Sequence, residues 1–236
     1  MKNDVVKFCI VMPWGRVGSN LVVDILRQLT RCPISNEPLN LIRDNDKQKE
    51  WYSKEYILKA SHDYRYIGTK LSLVSIVDKA WFSARFTWDG VRVVRMRRDN
   101  IVKAALSQIR GELFAEKTRR EEGRARWGLH PGESGLGQVD ISFDLLLKRI
   151  QIMERAHQEL LTAFDGCKLC DIEYTELANN IDDVVRKACN FLEVAYGPYK
   201  IRYIKATPNN LKDAIGNYAE IVSKLAESRY GEFVEI

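Results

Sequence analysis

The passage from the first strand to the first helix constrains this chain most. Residues 5–12, Val-Val-Lys-Phe-Cys-Ile-Val-Met, form a nearly continuous apolar run rich in β-branched side chains, which suits a strand buried on both faces of a parallel sheet. Residues 13–20, Pro-Trp-Gly-Arg-Val-Gly-Ser-Asn, interrupt that run, and Leu21, Val22, Ile25, Leu26 and Leu29 then recur at helical spacing. A strand that turns through glycine into a helix start makes an anion site. Helix N–H groups and the positive end of the dipole favour negative charge, Gly18 permits close approach, and Arg16 and Ser19 can add donors. The pattern predicts a phosphate-binding turn; the alternative is a plain tight turn with Ser19 as its cap. The nucleoside-triphosphate and nicotinamide readings are weakened, because Ser19-Asn20 stands where Lys-Ser/Thr is needed and Gly15 and Gly18 do not complete the dinucleotide fingerprint.

The 236 residues, 45% hydrophobic and 29% charged, suffice for one globular domain with a sizeable core. No apolar run reaches membrane-spanning length and the first residues lead straight into the strand, so the expectation is a cytoplasmic protein without signal peptide or membrane span. The five cysteines are odd in number. Cys167 and Cys170 lie three steps apart on an expected strand and so face opposite ways, which favours reduced thiols over a redox or metal pair. His62, His130 and His157 offer no metal-ligand spacing either, and no metal is expected. The net charge of +5 is concentrated in two segments: Arg92, Arg95, Arg97, Arg98 and Lys103, then Lys117, Arg119, Arg120, Arg124 and Arg126. The first suits a phosphorylated cofactor; the second suits an anionic substrate, nucleic acid or a solvated helix face.

Further along, Ile34 begins a short strand that leaves the sheet between Pro33 and Pro38, with Glu37 at the exit. Residues 47–60 are the best helix candidate in a polar and aromatic stretch, 66–71 read as a strand, 72–84 as a helix and 91–96 as a strand. Arg97 and Arg98 follow that strand, Asp99 or Asn100 caps the next helix, and Ser107 lies a little over two turns into it. Residues 111–140, charged and then glycine-rich, predict a long mobile loop or lid. Helices are expected over 144–164, 181–192 and 211–225, and a strand over 168–173. Strands alternating with helices predict a mostly parallel α/β sheet with ligands at the carboxyl ends of its strands.

Several segments match one family in its own order. Arg16-Val17-Gly18-Ser19-Asn20 resembles the 5′-phosphosulfate loop of the sulfotransferases that use 3′-phosphoadenosine 5′-phosphosulfate (PAPS), with Val17 and Asn20 in place of the usual hydroxyl residues. Asn36-Glu37-Pro38-Leu39-Asn40 is similar to that family's G-E-P-F-N segment, and Ile67-Gly68-Thr69-Lys70-Leu71 to its G-F-K-L strand. Arg97-Arg98-Asp99-Asn100 with Ser107 resembles its 3′-phosphate signature, Glu173-Tyr174-Thr175-Glu176-Leu177 its Y-E-D-L turn, and Ile215-Gly216-Asn217-Tyr218 its terminal helix. The likeness is greatest to the bacterial carbohydrate branch that includes trehalose and Nod-factor sulfotransferases.

The resemblance implies a P-loop-like three-layer α/β fold with a central, mostly parallel sheet flanked by helices, forming a single domain over residues 1–236. It also implies sulfuryl transfer from PAPS to an acceptor hydroxyl, with adenosine 3′,5′-bisphosphate (PAP) as product. Arg16, Val17, Gly18, Ser19 and Asn20 would hold the 5′ end, with Arg16 also neutralising charge on the leaving phosphate. Ser107 with either Arg97 or Arg98 would clamp the 3′-phosphate, and Lys205 and Thr207 would close over the nucleotide. Glu37 would be the base that takes the acceptor proton. Lys70 either reaches the site or snorkels beside the sheet, and Trp127 and His130 in the lid could contact a carbohydrate or glycolipid acceptor. Competing readings are a polyanion- or nucleic-acid-binding module built on residues 92–126, for which stacking aromatics are sparse, and a P-loop-like nucleotide kinase. A homo-oligomer is left open.

Overall fold

The computed structural model describes residues 5–57, 64–208 and 210–233. Two compact units form, one from residues 1–98 with 156–200 and the other from 99–155 with 201–236.

The first unit holds the sheet. Strands β1 (Val6–Met12), β2 (Ile34–Asn36), β3 (Tyr66–Ser72), β4 (Arg92–Arg97) and β5 (Lys168–Glu173) lie in the order β2-β3-β1-β4-β5. Every pairing is parallel, so the expected mostly parallel sheet is wholly so. β1 is central, and its last five residues are buried because layers cover both faces. On one face Phe8, Ile10 and Met12 pack with Val22, Val23, Ile25 and Leu26 of α1 (Ser19–Thr30) and with Val184, Val185, Ala188 and Leu192 of α7 (Ile181–Leu192). On the other, Cys9 and Val11 meet Tyr52 and Tyr56, Phe82 and Phe86 of α3 (Lys79–Trp88), and Leu160 and Phe164 at the end of α5 (Phe143–Thr162). The same alternation sets Cys170 in the first layer and Cys167 against the second, and all five cysteines are free thiols.

Gly68 of β3 lies under the Phe8 ring, and a methyl group added there would come within 2.4 Å of the ring carbon Cζ. Because Phe8 is wholly buried, Gly68→Ala is expected to destabilise the protein by about 1–3 kcal/mol, seen as a lower denaturant midpoint at unchanged slope. An unchanged midpoint would show that the ring has room to move.

Four expected boundaries move. The helix foreseen over 72–84 starts later: β3 runs to Ser72, a single turn occupies Leu73–Ser75, and α3 begins at Lys79, where the Asp78 carboxylate accepts from Trp81 N at 3.0 Å. The helix foreseen over 47–60 is α2 (Asn45–Trp51) followed by a wider turn of π type over Tyr52–Ile57; residues 58–60 lie outside the described residues, as does His62. The stretch 111–140, expected as loop, begins as helix, since α4 runs unbroken over Ile101–Glu122 in the second unit and stops at Gly123, whose φ is 74°. Ion pairs of Glu116 with Arg119 and Arg120, and of Lys117 with Glu121, support its exposed face. The foreseen C-terminal helix is split into a turn at Leu211–Asp213 and α8 (Tyr218–Ala226), because Asn217 turns aside to bond both the N–H and the carbonyl of Ile141.

No helix among the described residues is long and apolar enough to cross a membrane.

Candidate active site

The turn after β1 takes the form its glycines suggest. Gly18 caps α1 in the left-handed conformation, φ 78°, and Arg16 also sits there, φ 68°. The cap is therefore Gly18 and not Ser19, which is the first helical residue; its hydroxyl donates to the Met12 thioether at 3.0 Å. A Cβ at Gly18 would meet Leu177 at 2.5 Å, so α6 (Tyr174–Asn179) presses on the turn from behind and a side chain there is excluded twice. Val17 is buried in the layer that contains α1 and serves packing.

Two guanidinium groups converge on this turn. Arg98, immediately after β4, is only 7% exposed; it stacks on the Tyr174 ring at 4.2 Å and donates to the Arg16 carbonyl at 3.4 Å. Burial pulls the pKa of Arg16 and of Arg98 below the ordinary arginine value, and Arg16 lowers Arg98 further. Glu173, close enough to offset part of this at Arg98, turns its carboxylate to the backbone N–H groups of Thr175 and Glu176 at the start of α6. Two neighbouring guanidinium groups, one buried and one half-buried, repel each other, and a bound anion would relieve that repulsion. Arg97 lies elsewhere, for along β4 it shares the face of Arg95, whose guanidinium grips Asp171 by two bonds of 2.8 and 2.9 Å, opposite the Met96 face that meets α1.

Beside the turn is a second cluster. Lys70 of β3 is 1% exposed, and its ammonium reaches Asn20 Oδ1 at 2.5 Å and Glu37 Oε1 at 2.7 Å. Lys70 therefore does not snorkel outward; it joins Asn20, at the start of α1, to Glu37. Burial pulls its pKa down and Glu37 pushes it back up. Asn40 donates to the other carboxylate oxygen, Glu37 Oε2, at 2.6 Å and itself accepts from Ser75 Oγ at 2.6 Å. The Glu37 backbone is left-handed, φ 53°, and its N–H bonds the Lys70 carbonyl at 2.9 Å. A non-glycine residue there costs about 1–3 kcal/mol, which the surrounding bonds must offset. The carboxylate is thus aimed, with a side chain 25% exposed.

In the second unit Ser107 of α4 and Thr207 are both 5% exposed, and Thr207 donates to Ser107 Oγ at 3.2 Å, while Lys205 is exposed. Trp127 is 46% exposed; the His130 ring lies tilted against Tyr203, 5.1 Å between centroids, and bonds the Arg202 carbonyl through Nδ1 at 2.8 Å. Arg126 is shared between Glu122 and Glu133. Every member of the second basic cluster has an acid close by, so the solvated-face explanation fits it better than a nucleic-acid surface. No group of three metal-ligating residues occurs among the described residues.

The roles of Asn40 and Tyr174 were not foreseen. Both fall within motifs that the sequence displays, but the partners that define them are distant in the chain and nothing in the local pattern names them.

No protein family description and no curated protein matches the sequence. Among solved structures, a sulfotransferase from Alicyclobacillus acidocaldarius is similar over 97% of this chain and 95% of its own, with 15% identity and a TM-score of 0.47. A sulfotransferase domain from the curacin biosynthetic pathway is similar over 82% of this chain and 76% of its own, with 11% identity and a TM-score of 0.45.

Proposed function

We propose that this chain is a PAPS-dependent sulfotransferase that moves the sulfuryl group to an acceptor hydroxyl. The observation that carries the reading is the buried Arg98 bonded to the carbonyl of half-buried Arg16, the two guanidinium groups close enough to repel, at a left-handed glycine turn on the carboxyl edge of a parallel sheet. That arrangement suits a ligand with more than one phosphate.

In this reading the loop amides of Val17, Gly18 and Ser19, with Arg16 and Asn20, hold the 5′ end, and Arg16 neutralises charge as it builds on the leaving phosphate. Arg98 is assigned to the 3′-phosphate in preference to Arg97, whose side chain lies on the face of Arg95. Glu37 takes the proton from the acceptor hydroxyl as its oxygen bonds to sulfur and the bond from sulfur to the phosphate oxygen breaks, leaving PAP. Lys70 and Asn40 hold that carboxylate in place. Ser107, Lys205 and Thr207 are assigned to the nucleotide, and Trp127 and His130 to a carbohydrate or glycolipid acceptor, by resemblance. A cytoplasmic setting fits the same reading.

The direct test is thermal stability with PAP, ATP or single-stranded RNA. A ligand that binds only the folded state at one hundred times its Kd adds about 2.7 kcal/mol of stability. PAP is expected to raise the melting temperature by several degrees, and the other two by far less. A shift with RNA alone would favour a polyanion-binding module, and one with ATP alone a kinase.

A further inference from the structure

Ser72 ends β3 at the same edge of the sheet as the Gly18 turn, and its partner across the ladder is Met12, the last residue of β1. Side chains alternate along a strand. Tyr66 of β3 packs in the layer that contains α1, Gly68 lies under Phe8 of that layer, and Lys70 reaches Asn20 of α1 itself. Ser72, two residues past Lys70, faces the same way. It is 4% exposed, and its hydroxyl has no hydrogen-bond partner among the described residues. A buried hydroxyl left unpaired is destabilising and calls for a reason. Across from it, Ser19 donates only to the Met12 thioether, a weak acceptor. Met12 thus has Ser19 bonded to its sulfur and Ser72 as its ladder partner: two buried hydroxyls near the N-terminus of α1, one weakly partnered and one unpartnered.

Resting on the sulfotransferase reading, we infer that Ser72 is a further donor to the sulfuryl group in transit. Lys70 joins Asn20 at the turn to Glu37, so in that reading the sulfuryl group, passing from the phosphate at the turn to the acceptor oxygen beside Glu37, moves along the face that Lys70 and Ser72 share. Ser72 stands one pleat nearer the strand end than Lys70, and a serine hydroxyl is re-aimed by rotation about one torsion. Phosphate contacts belong to the turn and to Arg98, which leaves the sulfuryl oxygens for Ser72.

The test compares Ser72→Ala with wild type by calorimetric binding of PAP and of PAPS without acceptor, by unliganded melting temperature and by turnover. One hydrogen bond to a charged group corresponds to about tenfold or somewhat more in affinity. Ser72→Ala is expected to bind PAPS about tenfold more weakly, bind PAP as wild type does, melt no lower than wild type, and lose about tenfold in kcat/KM. If Ser72→Ala does not fold, Ser72→Cys keeps the size with only a weak donor and gives the same comparison. Undiminished PAPS affinity overturns the inference, as does an equal loss for PAP and PAPS, which would put the hydroxyl on the phosphate. A large drop in unliganded stability would make it structural. Failure of the wild type to bind PAP at all removes the sulfotransferase reading itself.

Discussion

Replacing Glu37 by Gln is expected to reduce turnover by roughly 10²–10⁴ while PAP still raises the melting temperature as in wild type. An alcohol is a weak nucleophile until its proton leaves, and Glu37 is the one carboxylate that Lys70 ties to the anion turn. Gln keeps the size and still accepts from Lys70 through its carbonyl, so the Lys70 link survives, while the bond from Asn40 and the proton acceptor are both lost. The left-handed backbone of Glu37 also remains, because its constraints come from the Lys70 carbonyl and the following turn at Pro38–Leu41. Wild-type turnover in this variant would remove Glu37 from the mechanism. Reduced turnover with equally reduced PAP binding would mean that the change had disturbed the turn instead.

Replacing Arg98 by Met should separate binding from stability in the opposite direction. Two charge-assisted hydrogen bonds lost from a bidentate phosphate contact correspond to roughly a hundredfold or more in PAP affinity. The unliganded protein, however, sheds a buried cation whose pKa is held down by desolvation and by Arg16. A buried charge whose desolvation is not fully offset costs stability, so its exchange for an apolar side chain of similar volume is expected to be neutral or stabilising. Met also keeps a favourable contact with the Tyr174 ring, and the expected variant melts at or above the wild-type temperature yet responds poorly to PAP. Arg97→Met is the control and should bind PAP normally. If it is Arg97→Met that loses the nucleotide, the 3′-phosphate assignment moves to that residue.

Much of the sheet was legible because buried parallel strands and amphipathic helices write themselves in short-range patterns. β1, β5 and α7 fall where the apolar runs place them. The second half of α4 was not legible, since its run of charges resembles loop composition until the acid and base partners are set three and four residues apart on a helix. The break before α8 was equally hidden, because it depends on Asn217 finding Ile141 in a distant segment. At the candidate site, sequence could mark Arg16, Gly18, Glu37 and Lys70 singly. Their relation could not be read, as the Lys70 bridge between Asn20 and Glu37 exists only once β1, β2 and β3 lie side by side. Which of Arg97 and Arg98 ends the strand and which lies past it was likewise hidden, since that depends on where the β4 ladder stops.

The most direct measurement is a crystal structure with PAP bound. The account predicts the 5′-phosphate on the amides of Gly18 and Ser19 with Arg16 against it, and the 3′-phosphate gripped by the Arg98 guanidinium at bidentate distance. A nucleotide bound away from the Gly18 turn, or one whose two phosphates leave Arg98 stacked on Tyr174 and untouched, would contradict it.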